Sequence, residues 1–139
     1  MEFDCYYRKK GREYLFRRFL DSYVEVCNNI VTEAANSVLM FEAGEQAALN
    51  IKTSKIGDIS REFEKEGIII SIEQSEKKVI FHLKGLDVAR NKCRYCDIFR
   101  GFFGGLSRKH IDSRYYCKKG EECIIKGASE CIFIAELIE

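Results

Sequence analysis

Between Arg12 and about Ile51 the apolar residues recur at helical spacing: Leu15, Phe16, Phe19, Leu20 and Tyr23, then Ile30, Val31, Ala34, Val38 and Phe41. This stretch has no Pro, and Gly44 is its one glycine, so the pattern predicts two long helices. Their break is expected at Asn28-Asn29 or at Asn36-Ser37, because Asn and Ser compete for backbone hydrogen bonds and favour helix ends. Asp58 can cap a short helix reaching about Glu66, with Gly67 as its stop. The period then changes. Ile68–Ile72 and Val79–Leu83 are β-branched and aromatic runs either side of the polar stretch Glu73–Lys78, which reads as a β-hairpin. A helix from about Tyr95 to Leu106 should end near Gly104-Gly105. Three short strands, Ser113–Lys118, Glu122–Lys126 and Glu130–Ile138, are expected to finish the chain as a meander. The expected class is therefore α+β, with long N-terminal helices on an antiparallel sheet, then a C-terminal helix and a β-meander.

Composition narrows the picture. A chain of 139 residues, 46% of them hydrophobic, suits a single domain over 1–139, and no repeat, low-complexity segment or linker interrupts it. Lys and Arg number 23 against 22 Asp and Glu, which leaves no long-range field to draw in nucleic acid or an anionic membrane. The opening MEFDCYYRKK carries charge where a signal peptide needs an apolar stretch, and no run approaches the ~20 apolar residues of a membrane span. A soluble, cytoplasmic protein is expected, without membrane insertion.

Seven cysteines cannot all pair in disulfides, and five of them, Cys93, Cys96, Cys117, Cys123 and Cys131, crowd into the last third of the chain. Gly120 lies midway between Cys117 and Cys123, and Gly127 midway between Cys123 and Cys131. Turns centred on these glycines would align the three cysteines across one face of a meander. Directly opposed Cβ atoms in an antiparallel pair are about 4.5 to 5.5 Å apart, from which thiolates can share a zinc ion at Zn–S distances of about 2.3 Å. Cys96, on a helix over that face, could complete a tetrahedron. The competing readings are buried apolar cysteines and redox-active thiols.

The run Cys96-x4-Gly101-Phe102-x2-Gly105, followed by Cys123-x3-Gly127-x3-Cys131-x-Phe133, resembles the signature of the 4-vinyl reductase domain family. Phe41-Glu42-Ala43-Gly44-Glu45-Gln46-Ala47-Ala48 is similar to the glycine-containing helix ahead of that family's hairpin. The resemblance implies a small α/β module related to a transport-particle subunit fold and to phenol-sensing domains of transcriptional activators, and it implies a homodimer. It also implies zinc held by Cys96, Cys123 and Cys131 beside a pocket for a small hydrophobic molecule, which Phe99, Phe102 and Phe103 could line. The family usually carries Glu three residues before the position of Cys123, where this chain has Gly120. Cys117 is the expected fourth ligand, on the turn argument, with Cys93, Glu121 and Glu122 as alternatives.

His82 and His110 are the two histidines and read as packed or solvated side chains rather than catalytic bases. No nucleophile elbow and no dinucleotide-binding loop is present. The glycines of Gly101-Phe102-Phe103-Gly104-Gly105 fit close helix packing better than phosphate binding. The basic runs Arg8-Lys9-Lys10 and Arg17-Arg18 fit a solvated helix face. The expected function is a non-catalytic, zinc-binding sensor or carrier domain for a hydrophobic ligand. The alternatives are a reductase or accessory factor of tetrapyrrole metabolism and a dimeric protein-interaction scaffold.

Overall fold

The computed structural model describes residues 22–23, 25–27, 29–65, 67–85, 96–121 and 129–138. The chain forms two compact units, Met1–Ser37 and Val38–Glu139. In the first, residues 22–23, 25–27 and 29–30 are helical, and the helix breaks at Val31 and Thr32 before α1 begins (Glu33–Asn50). The break falls at neither of the expected Asn pairs. Thr32 makes it, its hydroxyl oxygen accepting the backbone N–H of Ala35 at 3.2 Å with the acidic Glu33 behind it. A capping hydroxyl satisfies one of the orphan amides of a new helix.

In the second unit, α1 continues from Val38 to Asn50 and is followed by α2 (Asp58–Glu64), β1 (Ile69–Gln74), β2 (Lys78–Lys84), α3 (Cys96–His110), β3 (Tyr115–Lys119) and β4 (Cys131–Leu137). The four strands form one antiparallel sheet in the order β1-β2-β4-β3. The hairpin lies where alternation places it. Ile70 pairs with Leu83 and Ile72 with Phe81, and the Ser75 N–H donates to the Lys78 carbonyl at 2.8 Å to close the turn. Gly67 ends the α2 connection with φ of 79°, a left-handed conformation that suits glycine. Asp58 contributes differently from a helix cap. Its carboxylate accepts the N–H groups of Lys55 and Ser54, which hold its pKa below the ordinary carboxylate value.

Two expectations fail for physical reasons. The helix expected to stop at Gly104-Gly105 runs on to His110, because its glycines pack closely against neighbouring elements rather than ending the helix. A Cβ on Gly101 would collide with the Phe41 carbonyl, one on Gly44 with the Ile98 carbonyl, and one on Gly105 would lie 2.8 Å from the Ala48 Cβ. Crossing helices normally stay about 8 to 10 Å apart, and these glycines allow the backbones of α1 and α3 to touch. Arg100 stacks its guanidinium 4.4 Å above the Phe41 ring, and Lys109 donates to the Ala48 and Ile51 carbonyls at the end of α1. Arg108 pairs with Glu45 across the same crossing.

The second correction concerns the meander. β3 pairs directly with β4, Cys117 opposite Ala135 and Lys119 opposite Phe133, so no strand lies between them. The strand expected at Glu122–Lys126 falls outside the described residues.

The other face of α3 fills the core. Phe103 stacks on Phe81 with centroids 4.3 Å apart and contacts Phe133 at 5.3 Å, while Phe102 meets Phe63 of α2 edge-on at 5.7 Å. Alternation along β2 and β4 buries Val79, Phe81, Leu83, Cys131, Phe133 and Ala135 on this side. The opposite face carries His82. Its ring nitrogens reach the Glu130 carboxylate at 2.9 Å and the Glu73 carboxylate at 3.2 Å, and the hydrogen bond to Glu130 is the main reason its pKa rises above 6.5.

Three outcomes are expected. By helix propensity alone, Gly101→Ala would stabilise α3 by up to about 1 kcal/mol. The collision with Phe41 should instead make it destabilising by about 2 kcal/mol or more in urea unfolding. Gly57→Ala, with open space around its Cβ and a helical φ of −66°, should be neutral or slightly stabilising. For His82, a raised folded pKa means its contribution is fully present below its unfolded value of 6.5 and fades as pH rises through the folded value. The melting-temperature advantage of wild type over His82→Gln should therefore shrink with rising pH, and an advantage independent of pH would refute the ion-pair account.

Candidate metal and ligand site

Helix α3 lies along β4 in the same direction, because its contacts advance from Phe133 toward the level of Leu137. Phe99 meets Phe133 at 6.3 Å, Phe103 meets Phe133 at 5.3 Å, Gly104 lies against Cys117 opposite Ala135, and Arg108 donates to the Tyr115 carbonyl opposite Leu137. Cys96, at the first position of α3, and Cys131, at the first position of β4, therefore stand at the same end of this helix-on-strand layer. Cys131 is completely buried.

Cys117 is at the other end. It is opposite Ala135, four residues beyond Cys131, which is ~13 Å along a strand. It also lies beside Gly104, eight residues or ~12 Å along the helix from Cys96. The alignment of Cys117 with Cys131 that two tight turns would have produced is thus replaced by a register offset of four residues. Burial pushes the Cys117 thiol up to about 12, against the opposing pull of Arg100 and Arg108, so it is a neutral core side chain. Cys117 and Cys131 nevertheless share the buried face, as strand alternation predicts.

Of the other residues singled out, Cys93, Cys123 and Glu122 lie outside the described residues. Cys96 is disulfide-bonded. Among the described residues no group of three or more His, Cys, Asp or Glu side chains is gathered to hold a metal ion. The donors at this end fit zinc in kind. Cysteine thiolate, once reduced, is its preferred ligand, and carboxylate is an accepted one. Glu121 is exposed and follows Gly120, whose N–H donates to the Ile132 carbonyl at 2.7 Å.

The three aromatic candidates divide. Phe103 is fully enclosed between Phe81 and Phe133, and Phe102 is buried against Phe63. Phe99 is half-buried, in the turn that also carries Cys96, and contacts Phe63, Phe103 and Phe133. Residues 96–100 are all partly exposed, whereas Gly101–Ser107 are all buried. The accessible end of the aromatic cluster is the end that carries Cys96 and Cys131. His110 does not belong to it. Its Nε2 pairs with the Thr53 hydroxyl at 2.7 Å, and desolvation lowers its pKa.

No protein-family model matches the chain, and no curated protein matches it by sequence. Solved structures do match it. A vinyl-4-reductase family protein from Methanocaldococcus jannaschii aligns with a TM-score of 0.66 at 14% identity, over 91% of this chain and 82% of that one. Trafficking protein particle complex subunit 3 from Naegleria fowleri, covalently bound to palmitic acid, aligns with a TM-score of 0.56 at 12% identity, over 94% of this chain and 97% of that one. The fold of this chain is accordingly that of a vinyl-4-reductase-like domain, shared with the trafficking-particle subunit.

Proposed function

We propose that this chain is a non-catalytic binding domain for a small apolar molecule, stabilised by zinc held by Cys96, Cys123 and Cys131. The observation that carries the reading is the half-buried Phe99 on the first turn of α3. It opens an otherwise closed aromatic cluster beside Cys96 and Cys131. An apolar surface flanked by a few polar groups is the usual form of a small-molecule site. The trafficking-particle subunit of the same fold carries palmitic acid, which supports an apolar ligand here as well. Zinc would supply folding energy, tying the start of α3 to the start of β4. The Cys96 disulfide must first be reduced for its sulfur to act as a donor. Among the described residues no helix is long and apolar enough to cross a membrane.

A second reading, a dimeric interaction scaffold, is favoured by one observation. Val38, Leu39 and Leu49 of α1 are 57%, 47% and 61% exposed, more apolar helix surface than solvation alone explains. The two readings are compatible, because these residues lie on α1 and Phe99 on α3.

A native mass spectrum of reduced protein, purified without added metal, tests the three elements together. The expected spectrum shows one zinc per chain, a dimer, and a fraction carrying an apolar small molecule. Zinc-free chains that bind no fatty acid or phenol on addition would refute the proposal. Cys131→Ser should abolish zinc retention and lower the melting temperature, whereas zinc content equal to wild type would exclude Cys131 as a ligand.

A further inference from the structure

We infer that the proton on His82 regulates the aromatic opening at Phe99 by clamping the edge strand β1, on which α2 rests; this is a regulation of the ligand site proposed above and rests on that reading. The ring lies on the outer face of β2, with Nδ1 2.9 Å from a Glu130 carboxylate oxygen and Nε2 3.2 Å from a Glu73 carboxylate oxygen. Ionised carboxylates only accept hydrogen bonds, whereas neutral imidazole has a single N–H. Both contacts are therefore made together only by the imidazolium. Among the described residues the charged groups facing the ring are Glu73 from β1, Glu130 from the residue before β4, and Lys84 of β2 itself, which pairs with Glu130 at 4.0 Å.

Loss of the proton releases one arm of this clamp. The Glu130 side chain is 17% exposed and is held by Lys84 as well, so the remaining N–H stays with it, whereas Glu73 is 68% exposed and turns to water. β1 is an edge strand of the described sheet, with β2 as its one neighbour there. It is also tied to α2, where the Ser60 hydroxyl donates to the Ile70 carbonyl at 2.9 Å and the Ile68 N–H donates to the Phe63 carbonyl at 3.1 Å. Phe63 is half-buried and its ring lies 6.3 Å from that of Phe99, so these two rings form the rim of the aromatic cluster. A strand held at Glu73 keeps α2, and with it Phe63, against Phe99, while a released strand opens more readily. The ligand then bears more of the cost of ordering the rim. Protonation thus favours binding, and deprotonation favours release.

Fluorescence titration with N-phenyl-1-naphthylamine, an apolar probe that stays uncharged throughout, tests this between about pH 5.5 and 8.5, the range in which histidine titrates. Hydrogen bonding to Glu130 raises the His82 pKa above 6.5, so the full-length wild type should bind most tightly at the acid end. Its affinity should fall ~2- to 5-fold toward the alkaline end, the span that a partly exposed ion pair supports. Glu73→Ala should bind at the weaker level throughout and lose most of that step. Hydrogen exchange, compared between the two proteins at each pH, reads the clamp without a ligand. β1 and α2 should exchange more slowly in wild type at low pH, and the difference should vanish as pH rises. An equal affinity step in both proteins, or equal exchange at every pH, would overturn the clamp and leave the ligand site standing. Absence of probe binding at every pH would overturn the ligand site and this regulation with it.

Discussion

The close approach of α1 and α3 is the constraint on which the second unit depends. Helix α3 has seven consecutive buried residues, Gly101–Ser107, so it needs a neighbour on each side. The sheet takes its phenylalanine side and α1 takes its glycine side. With side chains at Gly44, Gly101 and Gly105, the two helices would separate by at least the width of a methyl group. Phe102 and Phe103 would then lose either the sheet or α2. The division of α3 into a small face and a large face is thus what lets one helix hold both layers. The polar contacts along the crossing, from Arg100 over Phe41 to Lys109 on the α1 carbonyls, orient the helices without supplying the main attraction. That attraction comes from burying the aromatic rings, worth about 1.5 to 3 kcal/mol for each large side chain.

What the sequence reveals, and what it hides, follows from the range of each interaction. The β1–β2 hairpin is legible because alternation and a short polar turn are local, and its pairing Ile72–Phe81 agrees with both. The α3 glycines mislead on the helix end because an isolated sequence cannot distinguish a glycine that stops a helix from one that meets another helix. The partner surface, Phe41 to Ala48, lies more than fifty residues away in the chain. The helix break at Thr32 is a competition between several residues able to cap, settled by which side chain reaches a free amide.

The cysteines show the difference between parity and register. Period-two alternation places Cys117 and Cys131 on the core face, and both are there. A slip by an even number of residues leaves that parity unchanged, so symmetric spacing about Gly120 and Gly127 could not reveal that Cys117 stands opposite Ala135. The long-range pairing of β4 with β2, Phe133 opposite Phe81, fixes where β4 sits, and β3 then adds to its other edge. The aromatic candidates are subject to the same limit. Spacing identifies Phe99, Phe102 and Phe103 as one apolar group, but only the burial gradient along α3 separates the exposed member from those enclosed.

That gradient also bears on how metal and ligand would work together in the proposed domain. Cys96 and Phe99 are three residues apart on α3, so they share one face of its first turn. This turn is only partly buried, whereas Gly101–Ser107 beyond it are enclosed, and a lightly packed turn opens more readily than a buried one. A metal holding Cys96 to the start of β4 would order the turn and hold Phe99 against Phe133 before any ligand arrives. An apolar molecule binding at Phe99 would then meet a surface already ordered and bear less of the entropic cost of fixing it. Linkage makes the effect reciprocal, so an apolar ligand held against the ordered turn would also raise affinity for the metal. In such an arrangement zinc is structural and still sets ligand affinity, because both act on the same turn of one helix.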